Sequence, residues 1–273
     1  MSETGKRYIF AGHAIGAAAQ FHRLDELQNL KHVIPTLGAS VLPTTGGLSK
    51  SHASNFCFNV DHPRRRSLLS VRKIESTAAG RDLGSRFETE TETEIESIGF
   101  VEKLRIDLIK VHVLSTRDEN KEAPTVTSKG NKIEGVHLGA VEAKITLDEE
   151  PLSAAGSMDQ LADFYKKQTA EYRRQNSWRF NTDPSATELP AGYRYYTFSL
   201  VREIKLTGPE DEKQKITIDG YTIKWEGFGR IIIGETLVKK DDRRLTMVRL
   251  AMGSDAGGAA SAGEAESNGQ LGS

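Results

Sequence analysis

A mainly β protein, an antiparallel sandwich or distorted barrel with one packed α-helix, follows from three features of the amino-acid sequence. Runs in which apolar and polar residues alternate recur along most of the chain. Short breaks rich in Gly, Pro and Asp separate them. One segment alone carries a strong helical period with a capping signal. With 273 residues the chain can bury a substantial core. We expect a single β-rich domain over 1–252, with two β lobes meeting near 116–131 as the alternative.

The N-terminal half is the less regular. The apolar stretch 8–21 follows Lys6 and Arg7 and imitates a secretory leader. Glu3, His13, Gly12 and Gly16 argue against one. A weak helix is predicted over 22–30. Strands are predicted at 55–60, 67–74, 87–95 and 101–114, then a polar loop over 116–131 and a half-buried strand from Val141 to Leu147.

Ser157 and Gln160 have capping-box spacing. Met158, Leu161, Phe164, Tyr165, Gln168 and Tyr172 then share one face of the predicted helix, which ends near Arg173 and Arg174. Beyond it, 193–206 alternates as one strand. Segments 216–225, 230–238 and 245–252 complete a meander, with Asp219 and Gly220 at a bulge or tight turn. From 253 to 273 the composition is Gly, Ala, Ser, Glu and Asn, with Leu271 the one large apolar residue. Such a segment is predicted to be a disordered tail, since it offers little apolar surface to offset its ordering entropy.

Few residues suggest chemistry. Glu88, Glu90, Glu92, Glu94 and Glu96 alternate with Thr89, Thr91, Thr93 and Ile95. On a strand the five carboxylates share one face at about 7 Å intervals. They must be solvated or opposed by bases such as Arg64, Arg66, Arg72, Lys73, Lys103 and Arg105. Charges of this kind would also guard a strand edge. A cation on Glu88, Glu90, Glu92 and Glu94 is the sharper alternative, although no calcium-loop spacing accompanies it.

His52, Cys57 and His62 are the other candidates, as zinc ligands or as a nucleophile with its base. Each histidine lies about 17 Å from Cys57 along an extended chain, so the chain would have to fold back. Cys57, flanked by Phe56 and Phe58, reads more simply as a small, partly buried strand residue. Gly12-His13-Ala14-Ile15-Gly16 lacks both the dinucleotide and the phosphate-loop spacing, and its small residues are expected to let a turn pack on a helix. Gly227-Phe228-Gly229 faintly resembles an RNA-binding strand but lacks its basic and aromatic partners.

With a net charge of −1, general nucleic-acid and anionic-membrane partners are not expected. Basic and aromatic residues mix at 172–180 and 193–196, as at a helix end packed on a sheet. The single cysteine fits a reducing, cytoplasmic setting. The expected function is that of a soluble, non-enzymatic binding or self-assembling protein, with a protein partner or its own copies and no cofactor. The alternatives are an enzyme using Cys57 and the N-terminal histidines, or a pore-forming β protein.

Overall fold

A computed structural model describes residues 7–22, 32–60, 66–121, 123–171, 180–181, 195–239, 242–253 and 257–271. The weak helix expected over 22–30, His62, and most of the basic and aromatic segments at 172–180 and 193–196 lie outside the described residues.

Two antiparallel sheets pack face to face without closing into a barrel. In the nine-stranded sheet, β10 (Phe180–Asn181), β11 (Tyr196–Ser199), β15 (Gly229–Val238), β16 (Arg243–Met252), β17 (Gly258–Leu271), β1 (Tyr8–Phe21) and β2 (His32–Val41) lie side by side. The hairpin of β13 (Ile216–Asp219) and β14 (Thr222–Trp225) joins it beside β15. The eight-stranded sheet runs β12 (Val201–Thr207), β9 (Val141–Leu147), β8 (Lys132–Leu138), β6 (Leu104–Asp118), β5 (Arg86–Phe100), β4 (Arg66–Asp82) and β3 (Gly47–Val60). Short β7 (Thr125–Thr127), within the segment expected to be loop, pairs with β6.

Residues 258–271 are a central strand and not a disordered tail. β17 pairs with β1 from Gly258 to Leu271 on one side and with β16 from Gly258 to Glu266 on the other. The reason lies in the spacing of the sheets. A Cβ added at Gly16 would stand 2.3 Å from Ile74 Cγ2, and one at Gly263 would stand 2.6 Å from Ile109 Cγ2. Ala14, Ala17, Ala262 and Ala265 are fully or almost fully buried around them. Small residues therefore let β1 and β17 approach β4, β5 and β6 more closely than large side chains would allow. The apolar surface that the tail reading required is supplied by the facing sheet. For the same reason Gly12 and Gly16 serve sheet-on-sheet packing and not a turn against a helix.

That approach also satisfies buried hydroxyls. Thr89, Thr91 and Thr93 are buried under the glutamate face of β5. Thr89 Oγ1 donates to the Asn268 carbonyl at 3.0 Å, and Ser267 Oγ returns a bond to the Thr89 carbonyl at 2.7 Å. Ser40 Oγ donates to the Ser76 carbonyl at 2.9 Å. Cross-sheet bonds of this kind compensate the desolvation of the polar groups between the layers.

The run 193–206 is not one strand. The chain changes sheet at the buried Leu200, so β11 pairs with β15 and β12 with β9. Ser199 Oγ donates to the Ile233 carbonyl and accepts the Val201 N–H, which anchors the crossing. The meander is β13–β14–β15–β16, with Gly220 in a tight turn. The capped helix is present as α2 (Met158–Lys167), preceded by α1 (Glu150–Ser153). Ser157 Oγ accepts the Gln160 N–H at 3.1 Å. Leu161 is buried, while Phe164 is only half-buried. Buried Arg243 of β16 donates to the carbonyls of Ala155 and Gly156, tying the helical segment to the sheet. A further turn, α3 (Glu210–Lys213), was not anticipated.

Candidate functional site

β8 and β9 form a hairpin over the two-residue turn at Gly139 and Ala140, and pair only at Val136, His137 and Leu138 against Ala143, Glu142 and Val141. Beyond those three pairs the two strands carry no further ladder between them, although each keeps its ladder on its other edge. β8 pairs with β6 as far as Lys132 in unbroken register, with the left-handed Gly135 opposite Asp107, where a Cβ would clash. β9 pairs with β12 from Glu142 to Leu147. The opening between them is a cleft of about 530 Å³, lined by residues 131–135 and 142–147. Its walls are the facing edges of two strands that, among the described residues, have no cross-strand partner there.

Strand alternation sets the lining. Buried Ile133 and half-buried Ile145 and Leu147 point toward the core, while exposed Lys132, Glu134, Glu142 and Lys144 form the rim. At the wide end, Asn131 is 7% exposed. Its N–H donates to Glu149 Oε1 at 2.9 Å and its Oδ1 accepts the His112 N–H. Among the described residues, Asn131 Nδ2 has no hydrogen-bond partner. Leaving a buried amide donor unmet costs about 1–3 kcal/mol.

The glutamate ladder faces outward on β5 and is cross-paired. Glu88 and Glu90 meet Arg81, Glu88 also meets Arg86, and Glu92 and Glu94 meet Lys110. Glu96 meets Arg72 and Lys73. Two of the bases expected to oppose it therefore do so, whereas Lys103 bonds the Gly227 carbonyl and Arg105 bonds Asp107. Because β5 lies between β4 and β6, the ladder guards no strand edge. His112 extends the network inward. Its Nδ1 accepts the Lys129 N–H, so Nε2 is the donor to Glu90 Oε1 at 3.0 Å. That bond, with help from Arg81 and against the effect of burial, holds the Glu90 carboxyl below its usual range.

Cys57 and His52 stay apart on β3. Cys57 is exposed, not partly buried, and donates to Asn59 Oδ1 at 3.0 Å. His52 pairs in register with Glu75 and lines a shallow depression with Lys50. Among the described residues, no three His, Cys, Asp or Glu side chains converge as a metal site. Glu88, Glu90, Glu92 and Glu94 are among those residues.

A second polar cluster, absent from the sequence reading, lies on the outer face of the nine-stranded sheet. His13 Nε2 donates to Glu264 Oε1 at 3.0 Å, and Thr246 Oγ1 donates to Glu264 Oε2 at 3.1 Å. Glu266 lies 3.8 Å from His13 Nδ1. The Glu264 bond raises the His13 pKa against the effect of burial. Burial pushes the Glu264 carboxyl up but is outweighed by His13, Arg244 and Thr246, so its pKa falls. Burial raises that of Glu266. Residues about 250 positions apart meet here, so local pattern carried no signal of the cluster. The cleft did leave one. Two alternating runs flank Gly139-Ala140, and Gly135 interrupts the first.

Two antiparallel sheets packed face to face, one of them parted between neighbouring strands, define a β sandwich with a cleft in its smaller sheet. The chain belongs to the family described as "Domain of unknown function (DUF8256)", whose model matches residues 8–239, from β1 to just past β15. No curated protein and no solved structure matches it.

Proposed function

We propose that this is a non-enzymatic binding protein whose ligand site is the cleft between β8 and β9. The observation that carries the reading is the pair of strand edges left facing one another across about 530 Å³. Ligand clefts typically span about 300–1,000 Å³ and combine apolar lining with a few placed polar groups. Ile133, Ile145 and Leu147 supply the first and the backbone edges the second. A protein partner suits such a surface, and a reducing, cytoplasmic setting suits an exposed free thiol at Cys57. No described helix is long and apolar enough to cross a membrane.

Native mass measurement of the purified protein tests the reading by detecting a retained ligand or partner, and hydrogen exchange then locates it. Slowed exchange confined to 131–135 and 142–147 is the expected result. A footprint centred on His13 and Glu264 would move the site to the opposite sheet and reject the proposal.

A further inference from the structure

One long sheet edge lacks the protection that the others carry, and we propose that β3 pairs there with β3 of a second copy of this chain. Strand edges are kept from joining other chains by shortness, charge, proline or irregular register. Among the described residues, the other edge strands have such devices. β10, β7 and β13 have 2, 3 and 4 residues. β2 carries Pro35 and a register shift against β1. β12 carries Arg202, Glu203 and Lys205. β3 runs for 14 residues without proline, and Lys50 is its one lysine, arginine or carboxylate. Its register with β4 is unbroken from Gly47 to Ser54. β2 precedes it in the chain but forms no ladder with it, so among the described residues its second edge has no strand partner. β3 and the β8–β9 cleft lie toward opposite ends of the smaller sheet, so the two readings stand or fall separately.

Charge selects the second copy and its register. A two-fold axis normal to the sheet pairs the strand with itself in antiparallel fashion. Opposed side chains share a face, so the axis passes through a residue position and not between two. Lys50, His52 and Ser54 lie on one face with their β4 partners Thr77, Glu75 and Lys73. Centring on Lys50 would oppose two lysines. Centring on His52 would put Lys50 opposite Ser54, with Lys73 of the second copy next in the row. Centring on Ser51 puts Lys50 opposite His52, with Glu75 of the second copy next in the row. Lys50 has no ion pair among the described residues, and Glu75 is exposed beside Lys73. Two strand spacings, about 10 Å, separate the two backbones, a span that a lysine and a glutamate side chain bridge together. The shallow depression of about 340 Å³ lined by Lys50, Ser51, His52 and residues 75–77 lies at this axis and receives the lysine. The symmetry makes the contact twice. The same register lays Leu48, 61% exposed, against Ser54 of the second copy. Left-handed Asn55 ends the regular ladder, which spans 48–54 on each strand.

The test uses the full chain. Sedimentation between about 1 μM and about 1 mM should show a monomer–dimer equilibrium, with hydrogen exchange slowing over 48–54 as the dimer forms. Lys50→Glu and Glu75→Lys should each weaken the dimer about tenfold or more, because each turns two attractions into repulsions. The double exchange should restore affinity to within about threefold, since it reverses both signs. In a Cys57→Ser background, a mixture of Lys50→Cys and His52→Cys chains should form a disulfide on mild oxidation, because directly opposed strand residues lie within disulfide reach. Lys50→Cys alone should not, since its diagonal distance is too long. Self-crosslinking of Lys50→Cys would centre the axis on that residue and overturn the register. A dimer indifferent to both charge reversals would put the interface elsewhere and overturn the proposal, as would a protein still monomeric at about 1 mM.

Discussion

At the scale of single residues, His13 and Glu264 make the stability of this protein depend on pH. The raised pKa of His13 means that its contribution is complete below its ordinary value of 6.5 and is lost as pH rises through the folded value. The lowered pKa of Glu264 means that its contribution is present above 4.5 and is lost as pH falls through the folded value. The pair therefore contributes most between about pH 4.5 and 6.5. Replacing His13 by Gln should flatten the decline in thermal midpoint from about pH 6.5 to 8 while leaving Arg244, Thr246 and Glu266 in place. An unchanged slope in melts across that range would place the pair outside the titration. Gly16 is the clearest steric test. Gly16→Ala puts a methyl group against Ile74 and the Leu37 carbonyl, and overpacking of this kind costs about 1–3 kcal/mol by denaturant unfolding.

At the scale of elements, β17 and α2 make opposite demands on the chain. α2 obeys local rules, since Ser157 caps it and Leu161 anchors it. Ser157→Ala should cost about 0.5–2 kcal/mol, the usual range for a lost cap, measured by urea titration. β17 obeys no local rule. Ending the chain after Gly257 would strip the facing edges of β1 and β16 and expose the core side of both, so the truncated protein should lose its cooperative melt and its near-ultraviolet dichroism. A truncated chain that melts within a few degrees of the full one would show that the strand is expendable.

At the scale of the molecule, one continuous cluster of buried residues draws on both sheets, from Ala17 and Phe21 of β1 to Ile109 of β6, Leu161 of α2 and Val248 of β16. The change of sheet at Leu200 further couples the two layers through the backbone. Heat should therefore unfold the protein in one transition, with far- and near-ultraviolet dichroism changing together. Two separated transitions would favour lobes divided near 116–131. Ion pairs along β5 add little to this cooperativity, because exposed pairs contribute about 0–1 kcal/mol each. Their effect is to neutralise a face that would otherwise repel itself.

What the amino-acid sequence determined by itself was local. Alternation specified antiparallel β structure, as a sandwich or a barrel, and the outward glutamates of β5, and Ser157 with Gln160 specified the start of α2, because a period of two and a cap are properties of neighbouring residues. What only the tertiary structure decided was which surfaces meet. Gly258–Leu271 becomes a strand because Ile109 and Val111 of the other sheet cover it. His13 finds Glu264 because β1 and β17 are neighbours. The cleft lies where the β8–β9 ladder stops after three pairs while β6 and β12 continue to pair with the outer edges of those strands, an arrangement that involves strands outside the hairpin.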